Sequence, residues 1–192
     1  MSDEIIGVVP EVEVPKKKKR VNGKAKGSGF ERVIANLLTQ RLAPYCFSRS
    51  QMSGAMVGGK NFGRRAHLYS KEAMSLFVGD VCCTNEIDVG KPFRFSVECK
   101  SYGDAERMES LFGNSSIYLW VNEAIDDASK IQKDPITIFK WKQTPIYAAF
   151  PAYINLPIEK KITLLNGVQL CHLEDILDLT DFWDIEPTTP KE

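Results

Sequence analysis

Histidine is nearly missing from this chain: only His67 and His172 occur in 192 residues, too few for a histidine-built metal site. Cysteine is scarce and unpaired. Cys46, Cys82, Cys83, Cys99 and Cys171 are odd in number and form no C-x-x-C knuckles, which argues against a disulfide framework and a structural zinc site. Several sit within apolar strand patterns, where a reduced cysteine acts as a small hydrophobe. No apolar run is long enough to cross a bilayer, and the N-terminus lacks the apolar core of a signal peptide. A soluble intracellular protein is expected. There is no internal repeat, and no net charge: 25 basic residues balance 25 acidic ones.

That balance hides a lopsided distribution. Lys16, Lys17, Lys18, Lys19, Arg20, Lys24 and Lys26 crowd one segment, whereas Glu174, Asp175, Asp178, Asp181, Asp184 and Glu186 gather near the other end. Residues 1–26 read as a disordered basic arm that grips phosphates without sequence preference. The Lys16–Arg20 run also resembles a nuclear localisation signal; otherwise a cytoplasmic setting is expected. The remaining composition, 43% hydrophobic and 26% charged, is that of one globular domain with tails. We expect a core over 27–155 and a C-terminal extension with an acidic tail over 156–192.

A helix is predicted from Ser28 to Leu42, with Phe30, Val33, Ile34, Leu37, Leu38 and Leu42 on one stripe, ended by Pro44. Tyr45–Ser50 reads as a short strand, and the Gly-rich stretch Met52–Arg65 as a mobile loop. Ser75–Cys83 and Pro92–Lys100 read as paired strands. Helical patterns follow over Asp104–Phe112 and Ile117–Ile131, then strands over Ile136–Lys140 and Ile146–Phe150. A weaker strand covers Val168–Cys171, before a short acidic helix. Helices, strands, helices and strands in that order predict an α/β layer around a central mixed sheet.

Within that frame one segment carries chemistry. Phe93, Phe95, Val97 and Cys99 alternate with Arg94, Ser96, Glu98 and Lys100, so Glu98 and Lys100 face the same way. Gly79-Asp80 ends the preceding apolar run, at the spacing a hairpin needs to bring Asp80 beside Glu98. Two carboxylates and a lysine can hold a hard cation and orient a water. Each residue also has a plain structural alternative. Asp80 suits a turn, Glu98 and Lys100 an exposed ion pair, and Ser28-Gly29-Phe30-Glu31 a capping box.

Gly79-Asp80 and Glu98-Cys99-Lys100, preceded by a helical Glu31, resemble the PD-(D/E)xK nuclease superfamily and its restriction-endonuclease-like fold. Lys26-Gly27-Ser28-Gly29-Phe30-Glu31-Arg32 and Arg49-Ser50-Gln51-Met52-Ser53-Gly54 narrow the likeness to archaeal-type Holliday junction resolvases and their phage-encoded relatives. Pro135–Lys140 and Pro145–Phe150 resemble their late strands. Gly79 replaces the motif's proline, and the stretch from Ser53 to about Ser75 is longer than in the compact archaeal enzymes.

The resemblance implies a metal-dependent endodeoxyribonuclease of the crossover junction type. Asp80, Glu98 and the Cys99 carbonyl would ligate Mg²⁺, with Mn²⁺ as the alternative ion, and Glu31 would complete the site. Lys100 would orient the water or stabilise developing charge. Ser50 or Ser53, with Arg49, would bind the scissile phosphate; Lys60, Arg64, Arg65, Lys140 and Lys142 would track the DNA backbone. Symmetric cutting of four-way or branched DNA implies a homodimer. Phe139, Trp141 and Tyr147 could face that interface, although core packing is the simpler reading. The alternatives are another nuclease of the superfamily acting on duplex or DNA ends, a non-catalytic DNA-binding protein with this fold, or an interaction domain.

Overall fold

The computed structural model describes residues 23–51, 60–104, 115–185 and 187–188. Its centre is a seven-stranded mixed sheet in the order β1-β2-β3-β4-β5-β7-β6. These strands are Phe47–Arg49 (β1), Val81–Cys83 (β2), Phe95–Ser101 (β3), Asp134–Lys140 (β4), Tyr147–Phe150 (β5), Ile162–Thr163 (β6) and Gln169–His172 (β7). Only β3 and β4 run parallel; the other pairs are antiparallel. Helix α5 (Ser116–Ser129) makes the parallel crossover, as the long connection between parallel strands requires. The remaining α-helices among the described residues are α1 (Gly23–Arg41), α2 (Lys60–Arg65), α3 (Lys71–Ser75), α4 (Glu86–Val89), α6 (Glu174–Leu177) and α7 (Thr180–Asp184).

Strand alternation divides the core between the two faces. Phe95, Val97 and Cys99 of β3, with Ile136 and Ile138 of β4, pack against Phe30, Ile34, Ala35, Leu38 and Leu42 of α1. Val33 of the expected stripe is instead 54% exposed, because the buried row follows the i, i+4 line. Phe139 and Ala149 point the other way, into Ile117, Trp120 and Val121 of α5. Trp141 and Tyr147 pack against this second cluster, so the three aromatics do serve the core. The stretch after residue 156 adds β6 and β7 to the sheet, and Phe182 and Trp183 to the α1-side core.

Three local expectations change. Helix α1 begins at Gly23, so Ser28 and Glu31 lie inside it, beyond any capping box. Lys60–Arg65, expected within a loop, is helical. Leu76-Phe77-Val78 is a turn after α3, not a strand; Met74 and Val78 form a small cluster with Phe62, Tyr69, Phe77 and Ile131. Asp80 therefore stands immediately before β2 rather than closing a strand. The polar side of this stretch is covered: Arg94, just before β3, is 3% exposed and donates from Nε to Asp134 Oδ2 at 2.7 Å. Asp134-Pro135, beyond the end of α5, starts β4. Pro135 lacks a donor N–H but lies before the Thr137–Phe139 stretch that pairs with β5. The expected helix Asp104–Phe112 falls almost wholly outside the described residues.

Candidate active site

The pairing register builds the site. Val81 opposes Val97, which sets Asp80 across from Glu98, and Asp80 N donates to Val97 O at 2.8 Å. Arg49 opposes Val81, and Ser50 N donates to Asp80 O at 2.9 Å. One row thus crosses three strands: Ser50, Asp80, Glu98. It lies on the α5 face, since Val81 and Val97 fill the core on the α1 face.

Gly79 makes the approach possible. Its φ is +77°, and a Cβ there would lie 2.8 Å from Val97 O. Proline, with φ fixed near −65°, could not take this place, which is a physical reason for the departure from the superfamily's proline.

The acids are half-buried and interact. Asp80 Oδ2 accepts from Cys99 N at 2.9 Å. Burial raises the Asp80 carboxyl above its ordinary value; the Cys99 amide opposes the shift and the Glu31 charge adds to it. Burial, then the Asp80 charge, pushes Glu98 up to about 7, against the pull of Lys100. Lys100 Nζ lies 2.9 Å from Glu98 Oε1 and 2.9 Å from Glu123 Oε2 of α5. Burial works against the Lys100 charge, but Glu98 and Glu123 hold it above its ordinary value. The Cys99 thiol points into the core, and burial keeps it protonated; only its backbone carbonyl could serve a cation.

Glu31 stands at the edge of this group. Its Oε2 pairs with Arg49 Nε, while its charge still reaches Asp80. Among the described residues no set of three acidic, histidine or cysteine side chains is gathered tightly enough to hold a metal. The sequence therefore placed Asp80, Glu98, Lys100, Ser50, Arg49 and Glu31 in one neighbourhood, with Glu31 turned to arginine rather than to the acid pair. Ser50 is 2% exposed, and its Oγ has no partner among the described residues.

The outer cations are less joined. Lys140 follows Ile138 onto the α1 face, beside Ser101 in register, opposite the face of Glu98. Lys142 is exposed in the turn after β4, and Arg64 is exposed on α2. Ser53 and the side chains of Lys60 and Arg65 lie outside the described residues. Glu123 was missed by sequence reasoning, because only the fold of α5 over the sheet brings it to Lys100.

A mixed sheet with this acid-lysine row across an antiparallel pair defines the restriction-endonuclease-like class of PD-(D/E)xK nucleases. A family model for "Phage putative PDDEXK endonuclease" matches residues 22–168, and the chain belongs to that family. Its activity class is accordingly nuclease, and its partner is DNA. No curated protein matches the chain. No helix among the described residues is long and apolar enough to cross a membrane.

Proposed function

We propose that the protein is a divalent-metal-dependent endodeoxyribonuclease that resolves branched DNA, four-way junctions included, as a homodimer. The observation that carries the hydrolytic reading is the Asp80–Glu98–Lys100 row. Two adjoining carboxylates, Asp80 raised by burial and the Glu31 charge and Glu98 by burial and the Asp80 charge, gain most from a shared cation. Magnesium suits them, because it is commonly bound by one or two carboxylates together with substrate phosphate oxygens. Asp80, Glu98 and the Cys99 carbonyl would hold it, and the Ser50 hydroxyl beside Asp80, which has no partner among the described residues, would meet the phosphate. When bound, the ion lowers the pKa of a coordinated water and offsets charge on the phosphate.

The chain's own groups do the remainder. Lys100, kept charged by Glu98 and Glu123, holds the attacking water or the developing negative charge. Arg49 both anchors Glu31 and offers a guanidinium to the adjoining phosphate. Arg64, Lys142 and the basic arm before α1 would follow the DNA backbone without reading sequence. A phage family provides no nucleus for the Lys16–Arg20 run to address, so phosphate binding is its favoured role. The branched-DNA reading rests on the resemblance of the Arg49–Gly54 and Lys26–Arg32 segments to junction resolvases. The rival is a nuclease for duplex or ends.

Purified protein should cut a synthetic four-way junction in Mg²⁺ and not in chelator, with linear duplex of the same sequence cut far less. Asp80→Asn should abolish cutting. Undiminished cleavage by Asp80→Asn would remove the proposed chemistry, and equal cleavage of duplex would remove the junction preference.

A further inference from the structure

The face that carries Lys100 continues into an aromatic recess. Tyr102 lies two residues beyond Lys100, hence on the same side of the chain and about 7 Å further along it. Tyr102 is 48% exposed, and its ring stacks on Trp120, with centroids 4.9 Å apart and planes 8° from parallel. Trp120 sits one turn before Glu123 on α5, and Glu123 is the residue bound to Lys100. The two features are therefore continuous. Beyond Trp120, Phe139 meets Trp141 edge-on. Tyr102, Asp104, Ser116, Trp120 and Trp141 line a recess of about 140 Å³.

Core packing explains Trp120 and Phe139, which are buried. It does not explain a half-exposed tyrosine laid flat on a tryptophan at the mouth of a recess. The volume suits one planar ring, since cavities of about 150 Å³ accept benzene. Aromatic faces beside a phosphate-handling lysine are the surfaces on which unpaired bases stack, whatever their sequence. Asp104 adds an acceptor at the rim for a base amino group.

Building on the nuclease reading, we infer that this recess receives one unstacked nucleobase next to the phosphate handled by Lys100. The substrate class is then DNA with an unpaired nucleotide at or beside the cut, as branch points and single-stranded segments provide. An intact duplex cannot present such a base without paying for its unstacking.

The test measures binding of a fluorescein-labelled deoxycytidine octamer, and of a blunt duplex, to the full chain in metal-free buffer. Wild type, Tyr102→Leu and Tyr102→Phe are compared by anisotropy. Tyr102→Leu should lose about ten-fold on the octamer, within the range for one base–aromatic stack. Its duplex binding should be unchanged, and Tyr102→Phe, which keeps the ring, should match wild type. Octamer binding by Tyr102→Leu equal to wild type overturns the inference, as does equal loss in both variants. Cleavage in Mg²⁺ is scored separately. If wild type cuts no DNA while the octamer pattern holds, the nuclease reading fails and the stacking site stands. If wild type cuts DNA and Tyr102→Leu binds the octamer normally, the stacking site alone fails.

Discussion

Replacing Gly79 by alanine tests how the acid row is assembled, and Gly90 provides the control. Both glycines have positive φ, +77° and +80°, but a Cβ on Gly90 meets nothing within 4 Å, whereas one on Gly79 would stand 2.8 Å from Val97 O. The left-handed backbone costs an alanine about 1–2 kcal/mol at either position. At Gly79 the obstacle is backbone, so the strands must part. The carbonyl pressed upon is the one that accepts from Asp80 N at 2.8 Å. Losing that bond and leaving a buried group unpaired costs a further 1–3 kcal/mol or so. Gly79→Ala should thus destabilise the protein by about 3–5 kcal/mol, against about 1–2 for Gly90→Ala. Guanidinium unfolding followed by tryptophan fluorescence measures both. Since Asp80 shifts with Gly79, cleavage by the folded fraction of Gly79→Ala should fall by about 10²-fold, the penalty of a misplacement near 1 Å. Gly90→Ala should cut normally. Equal destabilisation by the two substitutions would refute the close-approach argument.

Three further outcomes follow from the same geometry. In the metal-free protein Glu98 titrates at about 7 when folded and near 4.5 when unfolded; its stabilising share is therefore complete below about pH 4.5 and lost as pH rises through 7. Melting temperature should fall from about pH 6 to about pH 8 in chelator and recover with Mg²⁺, which binds the deprotonated pair; a larger Mg²⁺ effect at the lower pH would contradict this. Asp134→Asn should cost about 3–5 kcal/mol by stranding the buried Arg94 charge, while Arg94→Met with Asp134→Leu should cost less, checked by a double-mutant unfolding cycle. Glu123→Gln should change stability by under about 1 kcal/mol, because Glu123 is 62% exposed. The same substitution should tighten DNA binding by freeing Lys100 and removing a repelling charge, and weaker binding by anisotropy would count against that role.

Residue order alone carried a good deal of this molecule. Strict alternation over Phe93–Lys100 was enough to place Glu98 and Lys100 on one side of β3, because strand period is a local property. The helical stripe of α1 and the period of α5 were equally readable. The short run Leu76-Phe77-Val78 was not, since three apolar residues suit a strand or a packed turn alike; Ile131, which packs against its cluster, lies far along the chain. That Arg94 and Ser96 are buried was not readable, because alternation marks a polar face without saying what covers it. Phe182 and Trp183, flanked by acids, gave no sign that they close the core beside Phe93 and Phe95.

Sequence by itself determined the nuclease class: the acid-lysine pattern and the strand that presents it are written within a few residues of one another. The tertiary structure alone decided which groups share the site. It turned Glu31 to Arg49, brought Glu123 to Lys100, sent Lys140 to the other face, and laid Tyr102 on Trp120. Those relations depend on sheet register and on how a crossover helix settles across the strands, and both are set by packing among residues distant in the chain.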